Sequence, residues 1–289
     1  MPGPEQVAAA IEVLDPGALT TVQDTGRPGW AHLGVPRAGA LDEPALRLAN
    51  RLVGNQEAAA GLETTLTGAV VRLTRATSFA VTGARCDVHV DGRAVGWGAT
   101  HAVRPGAEVR VGPAHEGVRT YVAVAGGIDL PSVLGSRSAD LLSGLGPAPL
   151  RVGDLLPLGP PRRARHGSEA VPHPPRGILR IRLGPRADWF TTAALEALDG
   201  ATYTVSAESN RIGLRLAGPV VARARDEELP TEGMVLGAVQ VPPSGQPIVF
   251  LNDHPTTGGY PVVAVVVAED LPVCAQARPG SSLTLRVVR

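Results

Sequence analysis

Three polar stretches concentrate the side chains able to do chemistry: Thr20-Thr21-Val22-Gln23-Asp24-Thr25-Gly26-Arg27-Pro28-Gly29, Leu134-Gly135-Ser136-Arg137-Ser138-Ala139-Asp140, and Leu251-Asn252-Asp253-His254-Pro255-Thr256-Thr257-Gly258-Gly259-Tyr260-Pro261. In the first, glycines accompany Gln23, Asp24 and Arg27, and glycine lets a backbone approach a ligand closely; an Asp24–Arg27 pair closing a turn is an equal reading. In the second, Arg137 stands between Ser136 and Ser138, a set suited to an anion because guanidinium offers a planar fork and the hydroxyls can donate beside it. In the third, backbone N–H groups from Thr256 to Gly259 could form an anion-binding nest, with Asp253 or His254 as proton acceptor. A lone Asp or His in a turn is more often a capping or hydrogen-bonding group.

Two further runs carry polar residues beside strands, Ser209-Asn210-Arg211-Ile212-Gly213-Leu214-Arg215-Leu216 and Val239-Gln240-Val241-Pro242-Pro243-Ser244-Gly245-Gln246-Pro247-Ile248. Arg211 and Arg215 have Glu232 or a substrate carboxylate as possible partners, a structural salt bridge being the commoner role.

Composition narrows the chemistry. The charge balances at 27 basic against 27 acidic residues, so no net field draws the chain to nucleic acid or an anionic membrane. All 27 basic residues are arginine, which excludes biotinyl-lysine, a Schiff base and a P-loop lysine on this chain. Cys86 and Cys274 are too isolated for a disulfide framework or a metal site and read as buried thiols. The first ten residues have no signal-peptide pattern and the longest apolar run, 262–268, is too short to span a bilayer, so the cytoplasm is the expected location.

The elements that must position these residues are mainly β with a few helices (α+β). Abundant Gly (35) and Pro (27) suit short strands and tight turns. Apolar runs at 11–14, 70–73, 79–82, 88–90, 109–112 and 121–125 predict strands, with Asp91-Gly92 as a hairpin turn. A helix is predicted over 42–53, with Asp42 as N-cap, Pro44 in the first turn, Gly54 as the stop and Leu41, Ala45, Leu48, Ala49 and Leu52 on its apolar face. Asn50 and Asn55 should satisfy backbone groups at its end. A Pro- and Arg-rich linker over 160–176 separates an N-terminal β-rich domain (11–159) from a C-terminal one (177–289). The latter predicts strands at 178–183, 203–206, 235–241, 248–251, 262–267 and 283–288 and a helix at 187–198.

In order along the chain, Thr-Val-Gln-Asp-Thr-Gly-Arg-Pro-Gly, Ala-Asn-Arg-Leu-Val-Gly-Asn, Leu-Gly-Ser-Arg-Ser, Asn-Arg-Ile-Gly-Leu-Arg-Leu, Val-Gln-Val-Pro-Pro-Ser-Gly-Gln-Pro-Ile and Thr-Thr-Gly-Gly-Tyr-Pro resemble the hallmark runs of the family that holds the C component of 5-oxoprolinase, KipA and allophanate hydrolase subunit 2. The resemblance covers residues 11–288 and implies two β-barrel-like units, the C-terminal one cyclophilin-like. It implies one component of an ATP-dependent 5-oxoprolinase that opens 5-oxo-L-proline to L-glutamate, inactive alone. Its partners would be a KipI-like B component and a LamB/YcsF-like A component, with ATP used in the complex and another chain able to be its site. A carboxyltransferase half of a biotin-dependent urea-carboxylase-like system, without covalent biotin on this chain, is an alternative. A KipA-like antagonist of a KipI-type inhibitor of a sensor kinase is another. On the first reading the candidate catalytic pair is Asp253 and His254, with Asp253 as the base for water. The candidate substrate-binding set is Gln23, Asp24, Arg27, Arg137, Ser138, Arg211, Gln240, Thr256, Thr257, Gly258, Gly259 and Tyr260. In this set Arg27 or Arg137 is the carboxylate clamp and the 256–260 loop the anion cradle. The chain departs from the family at Pro255, where Gln is frequent, and at Ala139, where Thr is frequent, so no side-chain hydrogen bond is carried onto those two positions.

Overall fold

Runs of β-forming residues broken only by glycine and short polar segments give the first half two long antiparallel strands. The computed structural model describes residues 9–161 and 177–288, so 162–176 of the predicted linker lie outside the described residues. These divide into two compact units, the first holding 9–26, 42–139 and 144–161, the second 27–41, 140–143 and 177–288. Both are built mainly of strands, with short helices.

The first unit is a curled sheet of nine strands: β1 (Ala10–Asp15), β2 (Thr20–Gln23), β3 (Gly61–Thr65), β4 (Ala69–Leu73), β5 (Thr77–Val90), β6 (Arg93–Val95), β7 (Thr100–Val103), β8 (Ala107–Val124) and β9 (Leu155–Pro157). The order β2-β3-β8-β4-β1-β9 is joined by β5, which pairs with β6, β7 and β8. The predicted strands 79–82 and 88–90 are one strand, β5, and 109–112 and 121–125 are one strand, β8. The intervening polar residues look like breaks in sequence, but register shifts between Gly83 and Val88 absorb them while β5 and β8 stay paired. Gly83 is required there: its φ is +84°, and a Cβ would sit 2.5 Å from the Arg119 carbonyl oxygen. The Asp91-Gly92 turn forms as expected, both residues having positive φ (48° and 78°), which suits the right-handed twist of the flanking strands.

Helix α1 (Glu43–Leu52) follows its sequence signals: Asp42 accepts from the Ala45 N–H at 3.1 Å, Pro44 lies in the first turn and Gly54 follows. Leu48, Leu52 and Val53 pack on a floor of Ala80, Ala123 and Ala125, small residues that let the helix lie close to the sheet. Asn50 donates to the Glu57 and Ala59 carbonyls, and Asn55 bridges the Val124 carbonyl and the Gly126 N–H. Leu41, expected on the apolar face of this helix, instead belongs to the core of the second unit. The stretch beginning at Thr20, read as a loop, starts with the buried strand β2.

The second unit is a closed barrel of seven strands: β10 (Ile178–Leu183), β11 (Thr202–Val205), β12 (Gly213–Ala217), β14 (Ala238–Gln240), β15 (Ile248–Phe250), β17 (Val262–Val266) and β18 (Ser282–Val287). Strands β13 (Glu232–Gly233) and β16 (Thr257–Gly258) pair separately. The parallel pairing of β10 with β18 closes the barrel, and Leu179, Ile181, Val239, Val249, Val263 and Leu285 fill it. The predicted helix 187–198 is split into a 3₁₀ turn at Ala187–Trp189 and helix α2 (Thr192–Leu198), because Phe190 is extended and Thr191 caps the second piece through the Ala194 N–H. Helix α3 (Leu271–Gln276), absent from the predicted elements, holds Cys274 buried. Burial pushes the thiols up, Cys86 to about 11 and Cys274 to about 12, as inert core cysteines should behave. No helix among the described residues is long and apolar enough to cross a membrane.

Gly83→Ala forces an L-residue into a positive-φ position against a backbone oxygen and is expected to lower unfolding free energy by about 1–3 kcal/mol. Urea denaturation measures this, and a wild-type midpoint would show that the bulge relaxes around a methyl group.

Candidate functional site

In the first unit, three of the predicted ligand-facing groups satisfy one another. Asp24 Oδ1 accepts from Ser136 Oγ (2.6 Å), Ser138 Oγ (2.6 Å) and the Gly26 N–H (2.8 Å), while Oδ2 accepts from the Arg137 N–H (2.6 Å). The Asp24 N–H in turn donates to Ser138 Oγ at 2.9 Å. The Ser-Arg-Ser run therefore does cradle an anion, and that anion is the protein's own carboxylate. Arg137 contributes its backbone N–H to the cradle, while its guanidinium donates to the Leu130 carbonyl and to Asp129. Gln23, fully buried on β2, donates to Thr21 Oγ1 at 3.0 Å and to the Ala139 carbonyl at 3.1 Å. That contact uses the backbone of Ala139, so the missing family threonine leaves it intact.

The second unit brings Arg211 and Asp253 together. Both are at most 1% exposed; Arg211 Nε donates to Asp253 Oδ2 at 2.9 Å and Nη2 to Oδ1 at 2.8 Å, a bidentate fork. Arg211 Nη2 also donates to the Gly39 carbonyl (2.8 Å), and the Leu141 N–H donates to Asp253 Oδ2 (3.1 Å). Beside the pair, Asn252 Nδ2 donates to the Ala38 and Ala40 carbonyls, and the Ala38 N–H donates to the Asn252 carbonyl. Burial pushes the Asp253 carboxyl above its ordinary range, and the Arg211 guanidinium and the Leu141 N–H pull it back. Arg27 is likewise buried, its N–H bonded to the Arg37 carbonyl.

His254 follows directly, 6% exposed, its ring stacked on Phe250 at 5.9 Å and its Nδ1 donating to the Pro255 carbonyl at 2.7 Å. Burial holds its pKa below the ordinary histidine value, so the imidazole stays neutral near neutrality. Pro255 stands where family members often carry Gln, and its backbone carbonyl accepts the hydrogen bond from His254 Nδ1.

The loop 256–260 departs from the expected anion nest. Thr257 and Gly258 pair with Gly233 and Glu232 in a short antiparallel ladder, and the Met234 N–H donates to the Thr256 carbonyl. Neither Gly258 nor Gly259 has the left-handed backbone that turns successive N–H groups toward an anion. The glycine at 258 has a packing reason: a Cβ there would lie 2.7 Å from Gln240 Nε2. Gln240, 5% exposed, donates to the Tyr260 carbonyl at 3.1 Å. Tyr260 is the exposed aromatic of the set, with the Arg223 guanidinium over its ring at 5.7 Å. Glu232 pairs with Arg186 instead of Arg211 or Arg215, and Arg215 lies 4.0 Å from exposed Glu208. Sequence reasoning missed Arg223 and Arg186. Arg223 falls in the run Val-Ala-Arg-Ala-Arg, whose spacing gives no sign that one arginine turns inward while the other pairs with Asp188.

Residues 33–287 match the family model described as carboxyltransferase domain, subdomain A and B. The chain is 40% identical over 277 residues to the C component of 5-oxoprolinase from Escherichia coli (strain K12), covering 94% of this chain and 89% of that one. Among solved structures, that of TTHA0988 superposes with a TM-score of 0.87 at 38% identity, over 99% of this chain and 56% of the other. The urea amidolyase of K. lactis superposes with a TM-score of 0.89 at 29% identity, over 98% of this chain and 19% of the other. The chain thus spans a little over half of one solved neighbour and about a fifth of the other.

Two outcomes follow from the buried groups. Asp253→Asn strands the Arg211 guanidinium in a site that excludes water and is expected to cost about 3–5 kcal/mol in urea denaturation, with Arg211→Met/Asp253→Leu costing less because neither charge is then left unpaired. A single variant within about 1 kcal/mol of wild type would remove the pair from this role. Because the folded His254 pKa lies below the unfolded value, its stabilising effect is present above about pH 6.5 and is lost as pH falls through the interval down to the folded value. The melting temperature should drop there, and His254→Phe should flatten the drop.

Proposed function

Because the chain belongs to the carboxyltransferase domain family, subdomains A and B, and matches the C component of 5-oxoprolinase along nearly the whole of both proteins, we propose that it is the corresponding component of an assembly that hydrolyses 5-oxo-L-proline to L-glutamate. The length of that match carries the reading: it spans both compact units and leaves no large segment of either protein unaccounted for.

The reaction consumes two waters, one across the lactam C–N bond, leaving a carboxylate and an amine, and one at the γ-phosphate of ATP. ATP hydrolysis supplies the driving force for opening an amide that resonance protects. The described residues do not fit a phosphate site at the stretch that sequence suggested, since Gly258 and Gly259 lack nest geometry and the chain has no lysine. We therefore assign ATP to a partner chain. The partners on this reading are a KipI-like B component and a LamB/YcsF-like A component, without which this chain turns nothing over.

The buried residues of the motifs act on this reading as positioning groups. Asp253 has both oxygens engaged by Arg211 and the Leu141 N–H, an arrangement that supports a clamp for the surrounding segments over a base for water. His254, buried and neutral, supports the 254–260 loop. Thr257, Gly259 and Tyr260 are the exposed members of the loop and remain to meet substrate or partner. A second reading, carboxyl transfer to a urea-like acceptor, is favoured by the superposition on K. lactis urea amidolyase.

The test is glutamate formation from 5-oxoproline and ATP by this chain alone, by its two partner components together, and by all three. Glutamate only in the three-component mixture is expected. A stable complex that makes no glutamate, but carboxylates urea when given a biotin carboxylase and its carrier, would replace the first reading with the second.

A further inference from the structure

In the second unit, the run Val241-Pro242-Pro243-Ser244-Gly245 forms a tight turn, closed by the Gly245 N–H donating to the Pro242 carbonyl at 2.9 Å. It packs against the segment that follows β12. The Val221 N–H donates to the Gly245 carbonyl at 3.0 Å, and Gly245, at φ +73°, leaves no room for a side chain against Val220. Between the two segments lies a cavity of about 290 Å³ lined by Val220, Val221, Arg223, Asp226, Pro243 and Gly245, with Ala222. This volume stands at the small end of ligand sites, and neither the motif turn nor the cavity is used by the buried clamps described above.

The two charged groups that line it have few internal commitments. Arg223 is half-buried; Nη2 donates to the Val241 carbonyl at 2.6 Å and the guanidinium lies over the Tyr260 ring, while Nε is buried with no hydrogen-bond acceptor. Among the described residues no carboxylate lies within ion-pair distance of Arg223, in contrast to Arg180, Arg186, Arg211 and Arg225 in the same unit. A guanidinium held in place by a carbonyl and a ring, without a counter-ion and beside a cavity, is suited to receive a carboxylate. Asp226 lines the same cavity and is exposed, so it can accept from an N–H that neighbours the carboxylate. Apolar Val220, Val221 and Pro243 complete walls suited to a short carbon skeleton.

We propose that this cavity binds a small carboxylate bearing an adjacent N–H, Arg223 taking the carboxylate and Asp226 the N–H. The choice of 5-oxo-L-proline as ligand within that class rests on the oxoprolinase reading above.

Binding to the purified chain is measured by calorimetry with 5-oxo-L-proline, succinate (a carboxylate without the N–H) and 2-pyrrolidinone (the lactam without the carboxylate). 5-Oxo-L-proline should bind, 2-pyrrolidinone should not, and succinate should bind more weakly. Arg223→Gln should weaken 5-oxo-L-proline at least tenfold, Arg223→Lys should restore part of it, and Asp226→Asn should weaken 5-oxo-L-proline several-fold with no change for succinate. Melting curves of each variant check that the barrel is intact. In the three-component mixture, Arg223→Gln should raise KM for 5-oxoproline more than it lowers kcat. Glutamate formation with an unchanged KM in Arg223→Gln would overturn the cavity while leaving the oxoprolinase reading standing. No glutamate in any mixture, with Arg223-dependent binding of succinate or another amino-acid carboxylate, would retain the cavity and overturn the ligand chosen for it. Absence of binding by all three compounds to the chain and of any KM effect in the complex would overturn the proposal outright.

Discussion

The second unit depends on one ion pair. Arg211 and Asp253 are removed from water together, and removal of either charge from solvent carries a penalty that only its partner and the surrounding hydrogen bonds offset. Such a pair adds little net stability compared with apolar residues of the same shape, but it imposes a strict geometry because neither member tolerates losing the other. Here the geometry reaches well beyond the two residues. Through Gly39 and Leu141 the pair fixes segments that are 172 and 112 positions away from Arg211 and Asp253 respectively, and Asn252 binds the chain on either side of Gly39. Three stretches separate in sequence are thereby specified by one buried salt bridge.

The first unit uses the same device with different groups. Asp24 is surrounded by two hydroxyls and two backbone N–H groups, which satisfy its carboxylate oxygens by hydrogen bonding. Tyr121 extends the theme, donating to Glu63 at 2.7 Å and accepting from the Asp42 N–H at 2.7 Å. Its hydroxyl is held protonated by burial and by the neighbouring carboxylate. Much of what makes these motifs recognisable is thus polar scaffolding, which must be kept intact because a half-satisfied buried network is worse than none.

Local signals were legible and distant ones were not. The capped helix at 42–53, the Asp91-Gly92 hairpin and the asparagines at 50 and 55 each follow from chemistry within a few residues, and each is present. Two strands look split in sequence because bulges near Gly83 resemble interruptions until the partner strand is known. Arg211 and Asp253 both stand out as polar residues, yet Glu232 is the nearer partner in sequence and the barrel topology chooses the other. Asp24 and the Ser136–Ser138 run are recognisable separately as an acid and an anion cradle; only folding reveals that they are complementary. Family membership is legible because the scaffold is written into ordered motifs, whereas Arg223, which lies outside those motifs, is not.

The segments 27–41 and 140–143 belong to the second unit although the first unit lies on both sides of them in sequence. This interleaving has a consequence for biosynthesis. A ribosome that has released the first 161 residues has delivered the described segments of the first unit and part of the second, and the carbonyl of Gly39 and the N–H of Leu141 must wait for Arg211 and Asp253 to emerge before they find their partners. Cutting the gene at the Pro- and Arg-rich stretch would therefore keep the described segments of the first unit on one fragment and divide the second unit between the two. A module wired in this way is moved between proteins only as an uninterrupted block, which accords with its superposition over 98% of its length on a segment of a much longer enzyme.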